Sequence, residues 1–244
     1  MKSFLSALLR KYQQAQVVDD IPASNHSLQN YFVRANYRSR LTPAYFDDFV
    51  PGTGHKVYQP DVYSLAECLA SLGARRIIDV GCGKGEKLQP LVERFQVVGI
   101  DCGANIDYCQ RTYAFGQWIT HDLEADSAFP FASSDLQDSI IICSDVIEHL
   151  VNPLALLRSL KKCVDYGACV LLSTPERELV RGISDQGPPA NPAHIREWTL
   201  GELRALLLYL GFHIPFLGLT ANNNVNRQMS TILAILLRCK PHEA

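Results

Sequence analysis

The chain has 244 residues, 47% hydrophobic and 20% charged, with 23 Lys+Arg against 25 Asp+Glu and a formal net charge of −2. That apolar content excludes a disordered chain, and 15 Gly with 13 Pro exclude collagen-like or low-complexity architectures. A balance so near neutrality supplies no field to draw in a polyanion, and the length suits one large α/β domain.

Residues 2–15 place Phe4, Leu5, Leu8, Leu9 and Tyr12 on one stripe, the pattern of an amphipathic helix. The apolar start stops at Arg10-Lys11, too short for a secretion signal, and the run 232–237 is far below spanning length. The expectation is a cytoplasmic protein with no membrane segment. From Asp19 to Pro60 the pattern loosens, and Tyr31, Phe32, Tyr37, Tyr45, Phe46 and Phe49 alternate with Arg34, Arg38 and Arg40. Residues 1–57 hold seven Lys/Arg against four Asp, a balance of +3, which leaves −5 for the remainder. We read 1–57 as an N-terminal helical cap or lid and 58–244 as the main domain.

After Pro60 the order is regular. Helices are predicted over 62–72, 86–95, 106–113 and 153–164, and strands over 75–80, 96–101, 117–121, 138–143 and 168–173. Glu148 and His149 are placed at the start of the helix after the fourth strand. Strands alternating with helices, several apolar throughout, predict a doubly wound, mostly parallel α/β sheet of Rossmann-like type. Thr199-Leu-Gly-Glu202 matches a capping box, so a helix starts there and stops at Gly211. Two further strands are predicted over 212–219 and 230–237. Between them and the fifth strand lies 174–198, a Gly/Pro-rich loop long enough to carry function.

The strongest signal is Asp79-Val-Gly-Cys-Gly-Lys-Gly85 at a strand-to-helix junction. Glycines there let backbone approach a ligand at the strand ends, and Asp101, 20 residues past Gly81, suits ribose hydroxyls. Three nucleoside ligands compete. Glu86 stands where a dinucleotide fingerprint needs its third glycine, and its carboxylate repels a pyrophosphate. A P-loop needs Ser or Thr after Lys84, where Gly85 stands. The turn with Asp79 beside it suits S-adenosylmethionine, which has no phosphate.

Four stations in order resemble a class I S-adenosylmethionine-dependent methyltransferase from about residue 58 to 237. They are the glycine turn, Val98-Gly-Ile-Asp101, Thr120-His-Asp-Leu123 and Asp145-Val-Ile-Glu-His-Leu150. The resemblance implies seven strands with the last antiparallel, and S-adenosylmethionine as cofactor. It implies that Gly81, Cys82 and Gly83 lie against the methionyl and ribose part and that Asp79 serves the amino group. Asp101 with Cys102 would face the ribose, Asp122 with Leu123 the adenine edge, and Ser144 and Asp145 the methionine side.

Methyl transfer depends mainly on alignment, with a base where a hydroxyl must lose its proton. His149 and His194 are the catalytic candidates, histidine being suited to that work near neutral pH. Arg177, Arg196 and Tyr58 are candidate substrate contacts, with Arg181 and Tyr63 as further possibilities. The segments Ser173-Thr-Pro-Glu-Arg177 and His194-Ile-Arg-Glu-Trp198 resemble methyltransferases of sugar or secondary-metabolite pathways, which implies a small-molecule acceptor and O-methylation. No nucleic-acid or membrane partner is expected. The rivals are an RNA or protein methyltransferase using residues 31–49 as an arm, and a non-catalytic donor-binding subunit. Eight cysteines include no C-x-x-C pair and no His at ligand spacing, so reduced thiols and no metal are expected.

Overall fold

In the computed structural model, residues 28–42, 59–125, 127–223 and 227–238 are described. The helix predicted over 2–15 and the substrate candidate Tyr58 lie outside them.

Five apolar strands, β1 (Arg76–Val80), β2 (Gln96–Asp101), β3 (Gln117–Thr120), β4 (Ser139–Ser144) and β5 (Cys169–Pro175), run parallel. β6 (His213–Ala221) and β7 (Met229–Leu237) complete a seven-stranded sheet of order β3-β2-β1-β4-β5-β7-β6. β7 is antiparallel to both neighbours, as expected of the final strand. Successive side chains of a strand point to opposite faces, so both faces need cover. Ile77, Ile140 and Ile142 pack with Val62, Ala66 and Leu69 of α1 (Pro60–Ala70). On the other face Ile78, Val80 and Ile141 meet α4 (Pro153–Asp165) through Leu156, Leu157 and Leu160, and α6 (Leu200–Tyr209) through Leu203 and Leu206. The remaining helices are α2 (Gly103–Thr112), α3 (Ser133–Leu136) and α5 (Arg177–Arg181).

Two predicted helices differ. The segment 86–95 forms a 3-10 helix over Glu86–Leu91, because Gly85 enters it left-handed and Pro90 has no N–H for an α-helical bond. Glu148 does not open an α-helix. Ile147–His149 is a single 3-10 turn, and α4 starts at Pro153, capped by the Asn152 side chain accepting from Leu154 N. The capping box forms as read: Thr199 Oγ1 accepts from Glu202 N and Glu202 Oε2 accepts from Thr199 N.

Strand order reverses between β1 and β4, so the crevice above their carboxyl ends is the place for a ligand. The glycine turn, Asp101, Asp122 and Ser144 all follow strands at that edge.

Candidate active site

Three glycines set the turn after β1 in left-handed backbone, with φ of 77° at Gly81, 54° at Gly83 and 70° at Gly85. A Cβ at Gly81 would stand 2.5 Å from Val146 Cγ2, so the residue is required by space as well as by φ. Gly81 N and Cys82 N both donate to Ile100 O, at 2.8 and 3.1 Å. Gly83 N donates to Asp101 Oδ2 and Cys102 N to Asp101 Oδ1, each at 2.7 Å. The acid that ends β2 therefore holds the turn that ends β1. Asp79 is fully buried below the cleft, where Tyr63 OH donates to both its carboxylate oxygens at 3.0 and 2.9 Å. Burial raises its pKa to about 6, against the opposing pull of Lys87 at 3.9 Å and of the Tyr63 hydrogen bond. Cys82 is buried beside it, and the Cys109 thiol pushes its own thiol pKa well up, with burial adding to this.

After β3, Asp122 Oδ1 accepts from Glu124 N at 2.9 Å, an Asx turn that also presents Leu123. Glu124 carries the link onward by accepting from Val151 N and Asn152 N at 2.6 and 2.9 Å. At the end of β4, Ser144 Oγ lies 2.8 Å from Ser173 Oγ. Asp145 has a φ of 56°, and its Oδ2 accepts from Gln59 Nε2 and Asn223 Nδ2 at 3.0 and 3.1 Å.

Gly81, Cys82, Gly83, Asp101 and Cys102 line one cleft of about 890 Å³, and Asp122, Leu123, Ser144 and Asp145 extend its wall. Glu148, His149 and His194 also line it. Ile195 N donates to Glu148 O at 2.6 Å, pinning the 174–198 segment across the turn after β4. This contact brings the two histidine rings edge to face with centroids 4.8 Å apart. His149 Nδ1 lies 3.0 Å from Ala193 O, and a carbonyl only accepts, so Nδ1 carries the proton. Burial lowers the His149 pKa to about 4, and nearby His194 lowers it further, so the ring is neutral at pH 7. His194 Nδ1 meets Glu197 Oε1 at 2.6 Å, and its Nε2 lies 2.9 Å from Asn191 Nδ2. Glu148 is 0% exposed and burial pushes its carboxyl well up.

Two predicted substrate contacts are corrected. Arg177 is 0% exposed and spends its guanidinium on both oxygens of Glu202, at 2.7 and 2.9 Å, and on Glu197 O. Arg196 is also buried, donating to Leu150 O and Val151 O at 2.9 Å and stacking on the Tyr31 ring at 4.2 Å. Both are placed to hold the 174–198 segment, and neither lines the cleft. Arg181 does line it, paired with Asp185 at 2.7 Å. The described part of the N-terminal stretch packs on the same segment. Arg34, Arg38 and Arg40 each donate to a loop carbonyl, and Trp198 Nε1 donates to Tyr31 O. Sequence reasoning placed Glu148, with His149, in the fourth motif station beside the donor site but gave it no role of its own. Its importance appears only once the fold brings His194 beside it.

The cleft offers a carboxylate where ribose hydroxyls would lie and backbone turns where a thioether-bearing chain would pass. It has no cradle for phosphate, since Glu86 sits at the start of the following turn. A family model described as a methyltransferase domain matches residues 28–214. The chain belongs to the methyltransferase-domain family. The donor used by that family is S-adenosylmethionine, and the residues around this cleft fit it. A relative in Vibrio cholerae serotype O1, a ubiquinone biosynthesis O-methyltransferase, is 31% identical over 128 residues, 51% of this chain and 52% of its own. The chain spans about half the length of the curated relatives it matches. In fold it is similar to the methyltransferase domain of bacterial CtHen1, with 18% identity and a TM-score of 0.51 over 73% of this chain and 97% of that one. It is likewise similar to NcsB1, an O-methyltransferase from neocarzinostatin biosynthesis solved with S-adenosylmethionine and a hydroxynaphthoic acid. That likeness has 17% identity and a TM-score of 0.52 over 70% of this chain and 50% of that one. Among the described residues no helix is long and apolar enough to cross a membrane.

Proposed function

We propose that this methyltransferase acts on a hydroxyl of a small-molecule acceptor, a sugar or secondary metabolite, and that the acceptor enters beside His149 and His194. The observation carrying the reading is the meeting of His149, His194 and Asn191 in the wall of a cleft of about 890 Å³. A pocket of roughly 300–1,000 Å³ suits a small ligand. The O-methyltransferase relatives support the same acceptor chemistry.

Strand order supplies the direction. β2 and β4 flank β1, so Asp101 and Ser144 stand two strand spacings apart, roughly 10 Å. With the nucleoside at Asp101 and Asp122, the methionine end reaches Ser144 and Asp145, next to the histidines. Bound there, S-adenosylmethionine supplies an electrophilic methyl on a sulfonium. The glycine turn and Asp101 hold the donor in line, and such alignment is worth roughly 7–11 kcal/mol of barrier. A hydroxyl acceptor would have to lose its proton on methylation. His194, its Nδ1 held by Glu197, would take it through Nε2 once the acceptor hydroxyl replaces Asn191 Nδ2, which meets that nitrogen at 2.9 Å. His149, neutral and fixed by Ala193 O, positions the acceptor. Residues 1–57 serve in this reading as a cap on the domain 58–244. The arm needed for an RNA or protein substrate has less support, because Arg34, Arg38 and Arg40 bond the chain's own loop.

The test is turnover of methyl-labelled donor against a metabolite extract, with and without RNase and protease. A labelled small product that survives both treatments is expected. Label entering only nuclease- or protease-sensitive material would overturn the reading.

A further inference from the structure

We propose that Glu148, His149 and His194 bind a divalent transition-metal ion at the acceptor end of the cleft. The inference deepens the function proposed above and rests on it for the placing of the acceptor. One ligand atom from each of the three residues lies within 4.8 Å of the others. Zinc bonds of about 2.0–2.2 Å require ligand atoms about 3–3.4 Å apart, so the widest pair must close by about 1.5 Å.

The hydrogen bonds around the cluster are those a metal site needs. Metal-bound histidines usually donate their second ring N–H to a carbonyl or carboxylate, which fixes the tautomer. Here His149 Nδ1 faces Ala193 O at 3.0 Å and His194 Nδ1 faces Glu197 Oε1 at 2.6 Å. In each ring these contacts leave Nε2 as the nitrogen that can meet an ion. Asn191 Nδ2 donates to His194 Nε2 at 2.9 Å, and an incoming ion would displace this exposed amide.

Glu148 supplies an independent observation. Its Oε2 accepts from Thr174 Oγ1 at 2.8 Å, but its Oε1 is buried and has no hydrogen-bond partner. A buried carboxylate oxygen left in this way is destabilising. A cation at the cluster removes that cost. All three residues line the cleft, so coordination positions remain open toward the acceptor. Two imidazoles and one carboxylate favour zinc, cobalt, iron or nickel over calcium or magnesium. Three protein ligands with an open position is the catalytic rather than the structural arrangement. An acceptor hydroxyl bound there becomes more acidic and loses its proton to water, with no redox change at the ion. His194 then acts as a ligand and not as the base.

The test is titration of metal-depleted full-length protein with Zn²⁺, Co²⁺ and Mn²⁺ separately, by calorimetry and by the visible spectrum of Co²⁺. One equivalent per chain is expected for at least one ion, with nitrogen-ligand absorption for Co²⁺. Glu148→Gln, and separately the more exposed His194→Ala, should each weaken the ion at least 10-fold while S-adenosylhomocysteine still binds. The retained product binding checks the fold. No stoichiometric binding, or equal affinity in wild type and both variants, would overturn the proposal. Neither readout uses an acceptor, so failure of the small-molecule reading leaves the result intact. Turnover that persists after chelation but is lost in His194→Ala would restore the base role and sink the metal.

Discussion

Asp101 Oδ2 accepts from Gly83 N at 2.7 Å, so one carboxylate both faces the cleft and holds the turn that shapes it. Its other oxygen is tied to Cys102 N at 2.7 Å, which fixes the carboxylate plane before any ligand arrives. Asp101→Ala removes the proposed ribose acceptor and loosens the turn together. Hydrogen bonds to a charged group contribute about 1.5–3 kcal/mol, so affinity for S-adenosylhomocysteine should fall about 10- to 100-fold. Asp101→Asn, which keeps one acceptor, should lose less. Calorimetry showing wild-type affinity for Asp101→Ala would refute the assignment.

Gly81→Ala tests the same turn from the backbone side. A left-handed conformation costs a residue with a Cβ about 1–2 kcal/mol, and the contact with Val146 Cγ2 at 2.5 Å adds a clash. We expect a total loss of about 2–4 kcal/mol in denaturant unfolding. In Gly81→Ala/Val146→Ala the steric part should be relieved and the φ part should persist. A double variant no better than the sum of the two singles would show that Val146 is not the obstacle.

Sequence alone makes Arg177 a candidate substrate contact, but the fold makes it half of a buried pair with Glu202. Removing one partner of such a pair costs about 3–5 kcal/mol, because the other charge is left buried. Arg177→Ala should therefore lower the melting temperature by many degrees and leave the surviving folded fraction with an unchanged acceptor KM. A raised KM at wild-type stability would return Arg177 to the substrate.

Motif spacing made the donor half of the site readable. Asp79 lies in β1, the glycine turn follows it, Asp101 ends β2 and Asp122 follows β3, so local pattern and sheet register suffice to place them. The acceptor half depends on contacts far apart in sequence. His194 reaches His149 only because Ile195 N bonds Glu148 O, a link between the turn after β4 and a segment with no periodicity. Arginines were misplaced for a related reason. Composition makes a surface or ligand role the default, whereas Arg177 and Arg196 are buried under Tyr37 and Tyr31 from the N-terminal stretch. The 86–95 helix failed on a local rule, since Pro90 was already in the sequence to break it.

Asp79 should trade stability for donor binding, and pH separates the two. Its pKa is about 6 in the folded chain, above the ordinary 3.8, because burial disfavours the charge. Between those values the folded protein keeps a proton that the unfolded chain has released. Stability from this group therefore rises as pH falls through about 6, is complete below about 3.8, and is absent at pH 7.5. The difference amounts to on the order of 2–3 kcal/mol, from about 1.4 kcal/mol per pKa unit. Asp79→Asn keeps the shape and the acceptor for Tyr63 OH but has no charge to bury. It should be more stable than wild type at pH 7.5, and the advantage should shrink steadily toward pH 4.5. Donor affinity should be lower in the variant at pH 7.5, where wild-type Asp79 is ionised, and the gap should narrow below pH 6 as the wild-type carboxylate protonates. Paired unfolding and S-adenosylhomocysteine titrations across pH 4.5–7.5 check both slopes. A stability difference independent of pH would show that Asp79 is already ionised in the folded protein throughout that range, its carboxyl not held up by burial.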